Sequence, residues 1–142
     1  MPFLTHRETN LKDSGPILEV VIVPPQPVSD LLLNEGRPVP QLKVMALIDT
    51  GAALTCINQS IVNALNLIPF DIQSIHTAAG ISQQLLYDIG IILPISRPNV
   101  LSLQAPCANL SGQPFQVLLG RDVLSMCSLF YNGVDNSFTL HF

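Results

Sequence analysis

The chain has no tryptophan and little charge of either sign: six Lys or Arg and ten Asp or Glu among 142 residues, a net charge of -4. Lacking a basic surplus, it has no electrostatic footprint for a phosphate backbone, so nucleic acid is not an expected partner. Long apolar runs are missing as well. None approaches the roughly 20 residues of a membrane-spanning helix. The opening "MPFLTHRETNLKDSG" is polar where a secretion signal carries an apolar stretch. A cytoplasmic location with no membrane span is the expectation. Cys56, Cys107 and Cys127 are odd in number and lack C-x-x-C spacing, which argues against both a disulfide framework and a structural zinc. They are expected to be free, buried thiols. His6, His76 and His141 are far apart and show no metal-ligand spacing, so no metal is expected.

Apolar residues are plentiful, at 48% of the chain. A length of 142 residues supports one ordinary hydrophobic core rather than two. Short apolar runs broken by Pro, Gly and Asn point to strands and turns. "PILEVVIVPP" reads as an early strand stopped by prolines. "QPVSDLLLNEGRPVPQ" reads as a connection with at most one helical turn around Leu31 to Leu33. "QLKVMALID" is continuously apolar, which predicts a strand buried on both faces with Asp49 at its end.

Beyond the Gly51 turn, Ile61, Val62, Leu65 and Ile68 recur at helical spacing, with Asn58 or Ser60 as N-cap and Pro69 as stop. Leu85, Tyr87, Ile89, Ile91 and Leu93 alternate with period two. Together with Ile72 to Thr77 they predict a long hairpin with a small tip at Ala78-Ala79-Gly80. Arg97 to Pro114 reads as an irregular excursion or a weak strand with a loop. "FQVLLGRDVLSMCSLFYN" repeats the order strand, glycine turn, short helix, with Asp122 placed to favour the helix N-terminus. "LFYNGVDNSFTLHF" predicts a closing hairpin.

A carboxylate at the end of a buried strand is costly unless it is paired, hydrogen-bonded or protonated. One explanation of Asp49 is that it accepts amide hydrogens in the tight turn or caps the helix downstream. Another is the phosphate-binding D-x-G-[ST] turn of sugar kinases and actin-like ATPases, but that fold needs two large domains for which this chain is too short.

The third takes several parts together. "ALIDTGAALTCI", a hairpin, and "VLLGRDVLSMCSLFYN" occur in an order that resembles the retropepsin-like aspartic proteases, the single-domain family that includes the retroviral proteases. The resemblance spans roughly Leu42 to Phe142. It implies an all-β, closed acid-protease fold with one or two short helices. Residues 1–40 would form an N-terminal extension with an early strand and a connecting loop, and residues 41–142 the protease domain. It also implies a homodimer with the site on its two-fold axis. Physical reasoning agrees: two carboxylates held close share a proton, one serving as general base toward water and the other as acid toward the substrate carbonyl. One chain supplies a single suitable aspartate, and a C2 dimer places Asp49 opposite its own copy.

The resemblance assigns the neighbours. Asp49 is the catalytic residue, Thr50 links the two active-site loops across the axis, and Gly51 permits close backbone approach. Ala52 and Ala53 would contact substrate, as would the flap tip Ala78, Ala79, Gly80 and Ile81. Gly120, Arg121 and Asp122 form the structural turn before the helix. The pattern departs from retroviral members in having Ala53 and Leu54 where acidic residues follow D-T-G-A, which deprives Arg121 of its usual partner and suggests an apolar cleft. The reading is an aspartic endopeptidase without metal or organic cofactor, acting on a peptide or protein by direct attack of water, because no Ser-His or Cys-His pair is signalled. The alternative is a non-catalytic peptide-binding or dimerisation module on the same fold.

Overall fold

The computed structural model describes residues 3–95 and 99–142. In chain order the elements are β1 (Phe3–Arg7), α1 (Leu11–Ser14), β2 (Ile17–Val23), α2 (Gln26–Asn34), β3 (Leu42–Ile48), β4 (Cys56–Asn58) and α3 (Gln59–Leu65). They continue with β5 (Asp71–Thr77), β6 (Gly80–Ile92), β7 (Val100–Ala108), β8 (Val117–Leu119), α4 (Arg121–Leu124), β9 (Ser128–Asn132) and β10 (Ser137–His141). The fold is mostly β, as expected, and the four helices among the described residues are all short.

The larger sheet runs β2-β3-β8-β4-β7-β6-β5, and an additional β2–β6 pairing closes β2 through β6 on itself, leaving β5 as an outrigger of the ring. Closure removes exposed edges that would otherwise invite pairing with other chains. A second sheet, β1-β10-β9, is built from both ends of the chain. A single cluster of buried side chains joins the two. It includes Leu18, Val20 and Ile22 of β2, Val44, Ala46 and Ile48 of β3, Ile61 of α3, Ile89 and Ile91 of β6, and Phe138 and Leu140 of β10. The period-two reading of β6 therefore holds from Tyr87 to Ile91, while Leu85 toward the hairpin tip is 41% exposed.

Several local expectations are corrected. β3 is not buried on both faces: Val44, Ala46 and Ile48 are buried, but Met45 and Leu47 on the other face are only partly covered. The connection after Pro25 is a nine-residue helix, α2, entered by Pro27 in its first turn, where a missing N–H costs nothing. Helix α3 ends at Asn66 in the left-handed conformation, before Pro69 can act, and Ile68 falls outside it with 83% of its surface exposed. Asn58 occupies the N-cap position without bonding a helix amide; its side chain donates to Ser60 Oγ. The stretch expected to be irregular from Arg97 is mostly the nine-residue strand β7, whose apolar positions pair with β6; Arg97 itself and Pro98 lie outside the described residues. The cysteines are free, but half-buried rather than buried.

Candidate active site

β3 and β8 run parallel, with Ile48 opposite Leu119, so the loops leaving them at Asp49 and Gly120 emerge side by side. β4 then pairs antiparallel with β8, Cys56 opposite Leu118, which folds the chain between Asp49 and Cys56 into a loop against the Gly120 turn. Backbone bonds stitch the two together: Asp49 N–H to Leu119 O at 3.0 Å, Arg121 N–H to Ala52 O at 2.9 Å and Asp122 N–H to Ala53 O at 3.2 Å.

Asp49 is half-buried, and its Oδ1 accepts the Gly51 amide at 2.9 Å. That bond fixes the carboxylate within its own turn. A Cβ at Gly51 would stand 3.2 Å from the same oxygen, so glycine keeps the carboxylate's surroundings open. Thr50 is exposed, and among the described residues its hydroxyl makes no hydrogen bond; its carbonyl accepts from Arg121 Nη1 at 2.8 Å. Arg121, which lacks a carboxylate partner in the sequence pattern, thus holds the active-site loop through a main-chain oxygen instead.

Behind the loops lies a polar lock that sequence reasoning missed. Thr55, fully buried, donates its hydroxyl to Asp122 Oδ1 at 2.7 Å and its amide to Oδ2 at 3.0 Å, and the same hydroxyl accepts the Gly120 amide at 3.0 Å. Asp122 also takes the Val123 amide at 2.9 Å. Its main work is therefore between loops, beyond the expected favouring of α4. Gly120 is needed for the closeness of this contact: a Cβ there would fall 2.5 Å from Leu54 C and 2.8 Å from Thr55 N.

A cavity of about 430 Å³ opens beside the Asp49 loop, lined by Gly51, Ala52, Ala53, Leu54, Cys56, Gln73, Ser74, His76, Pro106 and Arg121. Its far wall is the β5–β6 hairpin, whose turn at Ala78–Ala79 matches the expected tip. The tip residues Ala78, Ala79, Gly80 and Ile81 are exposed and do not line the cavity; Gln73, Ser74 and His76, further down β5, do. Only the hairpin's position, not a motif, could have signalled those three. Burial pushes the Cys56 thiol up to about 11, with the charges of Asp122 and Asp49 adding to the effect, so it is a neutral wall of the cleft. Gln73 Oε1 and Gln84 Oε1, on directly paired residues of the hairpin, are buried without a partner among the described residues. Among the described residues no three His, Cys, Asp or Glu side chains converge as a metal site, and no helix is long and apolar enough to cross a membrane.

A closed β ring with an Asp-Thr-Gly loop beside a Gly-Arg-Asp turn and a hairpin opposite defines the acid-protease class of fold. Residues 39–126 match the family model described as gag-polyprotein putative aspartyl protease, and the chain belongs to that family. Among solved structures it is similar to the EIAV protease complexed with the inhibitor HBY-793, at 18% identity over 84% of this chain and 93% of that one, with a TM-score of 0.54. A retropepsin-like aspartic protease from Rickettsia conorii aligns at 12% identity over 88% of this chain and 91% of that one, with a TM-score of 0.47. No curated protein sequence matches significantly.

Proposed function

We propose that the chain is an aspartic endopeptidase that works as a homodimer, hydrolysing peptide bonds with water held between the Asp49 carboxylates of two copies. The observation that carries this reading is the braced, half-buried Asp49 in the loop whose next residues line the cleft, in a chain with a single Asp-Thr-Gly. One carboxylate of the pair takes the proton of the attacking water while the other, protonated, gives its proton to the scissile carbonyl oxygen. The tetrahedral intermediate then collapses with a proton passed to the departing amine. The exposed Thr50 hydroxyl, without a bond among the described residues, is available to the partner's loop, and Gly51, Ala52 and Ala53 leave the floor low enough for an extended peptide. The β5–β6 hairpin serves as the flap, with Ala78 to Ile81 closing over a peptide bound as an added strand.

The surface best suited to receive the second copy is the sheet made of the chain ends. β1 and β9 are its edges, and Phe3, Phe130 and Met126 are more than half exposed on or beside it, with Tyr131 close to half. Such edges are a liability unless something covers them. The test is a mass-spectrometric digest of a peptide library with wild type and Asp49→Asn, run alongside sedimentation. The expected result is cleavage by wild type alone, with both proteins dimeric. Cleavage by a folded Asp49→Asn dimer would remove the dyad. Peptide binding without turnover by wild type would leave a binding module on the same fold.

A further inference from the structure

The cleft beside Asp49 carries two basic side chains, Arg121 and His76, on its opposite walls, and no carboxylate among its lining residues. This runs against the chain's net charge of -4. Arg121 is exposed and takes part in none of the ion pairs among the described residues. Its one side-chain bond, from Nη1 to Thr50 O, leaves most of a guanidinium's five N–H donors unused. The carboxylates of the two loops are bonded within them: Asp122 with Thr55 and Val123, Asp49 with the Gly51 amide. Ala53 and Leu54, next along the loop, supply no countercharge. The remaining polar side chains of the lining, Gln73 and Ser74, are neutral and able to donate.

We propose that this cleft selects substrates bearing an acidic side chain, with Arg121 and His76 as the residues that determine the specificity. The inference rests on the protease reading above. A peptide lying between the Asp49 loop and the hairpin would present a glutamate or aspartate to the Arg121 fork, which matches a carboxylate with two parallel N–H bonds. His76 adds a donor from the other wall, and closure of the hairpin, by excluding water, strengthens both contacts. A lysine in the same place would face the Arg121 guanidinium instead.

The test uses peptides of one sequence carrying Glu, Gln or Lys at each position in turn. Binding is measured to Asp49→Asn, which reads the charge preference without turnover, and cleavage is measured with wild type. The expected result is one position at which Glu exceeds Gln by about tenfold in affinity and in kcat/KM, with Lys poorest. Arg121→Gln is expected to level Glu with Gln, and Arg121→Lys to retain part of the preference. If Arg121→Gln does not fold, raising salt on the wild type from about 0.05 M to about 1 M should erode the same ratio. A ratio below about twofold at every position, or a preference for Lys, would overturn the proposal. Charge-selective binding without cleavage would defeat the protease reading and leave this one standing; cleavage without any charge preference would defeat this one alone.

Discussion

Thr55 and Asp122, distant in sequence, share two hydrogen bonds, at 2.7 and 3.0 Å, that tie the strand leaving the active-site loop to the first turn of α4. Thr55 is fully buried, so its hydroxyl and the Asp122 carboxylate each depend on the other to replace water. Thr55→Val keeps the shape, strands the Gly120 amide and leaves Asp122 Oδ1 with the Val123 amide alone. The expected loss of stability is about 2–3 kcal/mol, read from denaturant midpoints. Thr55→Ser, which keeps the hydroxyl, should recover much of it. Equal losses in the two variants would show that the methyl, not the hydrogen bonds, matters.

Gly120→Ala tests the contact between loops by sterics. The added Cβ would lie within 3 Å of backbone atoms of Leu54 and Thr55, which cannot rotate aside. A loss of about 1–3 kcal/mol is expected, together with loss of cleavage, because the displaced segment carries Ala52 and Ala53 away from the cleft. By contrast, Gly133→Ala meets only the Tyr131 ring at 3.3 Å and should be mild. Similar effects at the two positions would contradict the tight packing of the loops.

Cys56 gives a pH dependence of definite sign. Its thiol is raised from 9.0 to about 11, chiefly by burial. The folded protein therefore holds the proton more tightly than the unfolded chain. The associated stability is complete below pH 9 and is lost as pH rises through 9 toward 11. Replacing Cys56 with serine should flatten that part of the stability profile. Alkylation of Cys56 near neutral pH should also lag behind a model thiol by about a hundredfold, following its smaller thiolate fraction. Prompt alkylation at pH 7 would contradict the desolvated environment.

The edge strand β9 offers a test of the proposed dimer surface. Phe130 is 62% exposed. Phe130→Glu is expected to shift the protein toward monomer in sedimentation and to lower cleavage in parallel, with activity partly regained at high protein concentration. An unchanged dimer would place the interface on another surface.

The Asp49 loop, the Gly120 turn and the hairpin were legible because each carries a local signal: a carboxylate ending an apolar run, a glycine between strand and helix, and period-two alternation around a small tip. Helix α2 was not, since Pro25, Pro27 and Gly36 look like loop residues until the first-turn tolerance for proline is applied. The both-face burial expected of β3 failed because continuous apolarity says nothing of which face a neighbour covers. Of the cleft, the floor was visible and the wall was not. Gln73, Ser74 and His76 become neighbours of Gly51 only through the β4–β7 and β6–β7 pairings, and Thr55 meets Asp122 only because β4 lies against β8. Long-range pairings of this kind leave no periodicity to read.

The central claim is that one active site needs two Asp49 carboxylates. The measurement that tests it most directly is a titration of Asp49→Asn into a fixed amount of wild type, after subunit exchange, while peptide cleavage is followed. A shared dyad makes every mixed dimer inactive, so activity should fall to about half at equimolar mixing and toward zero in excess variant. Activity that stays constant across the titration would contradict the account.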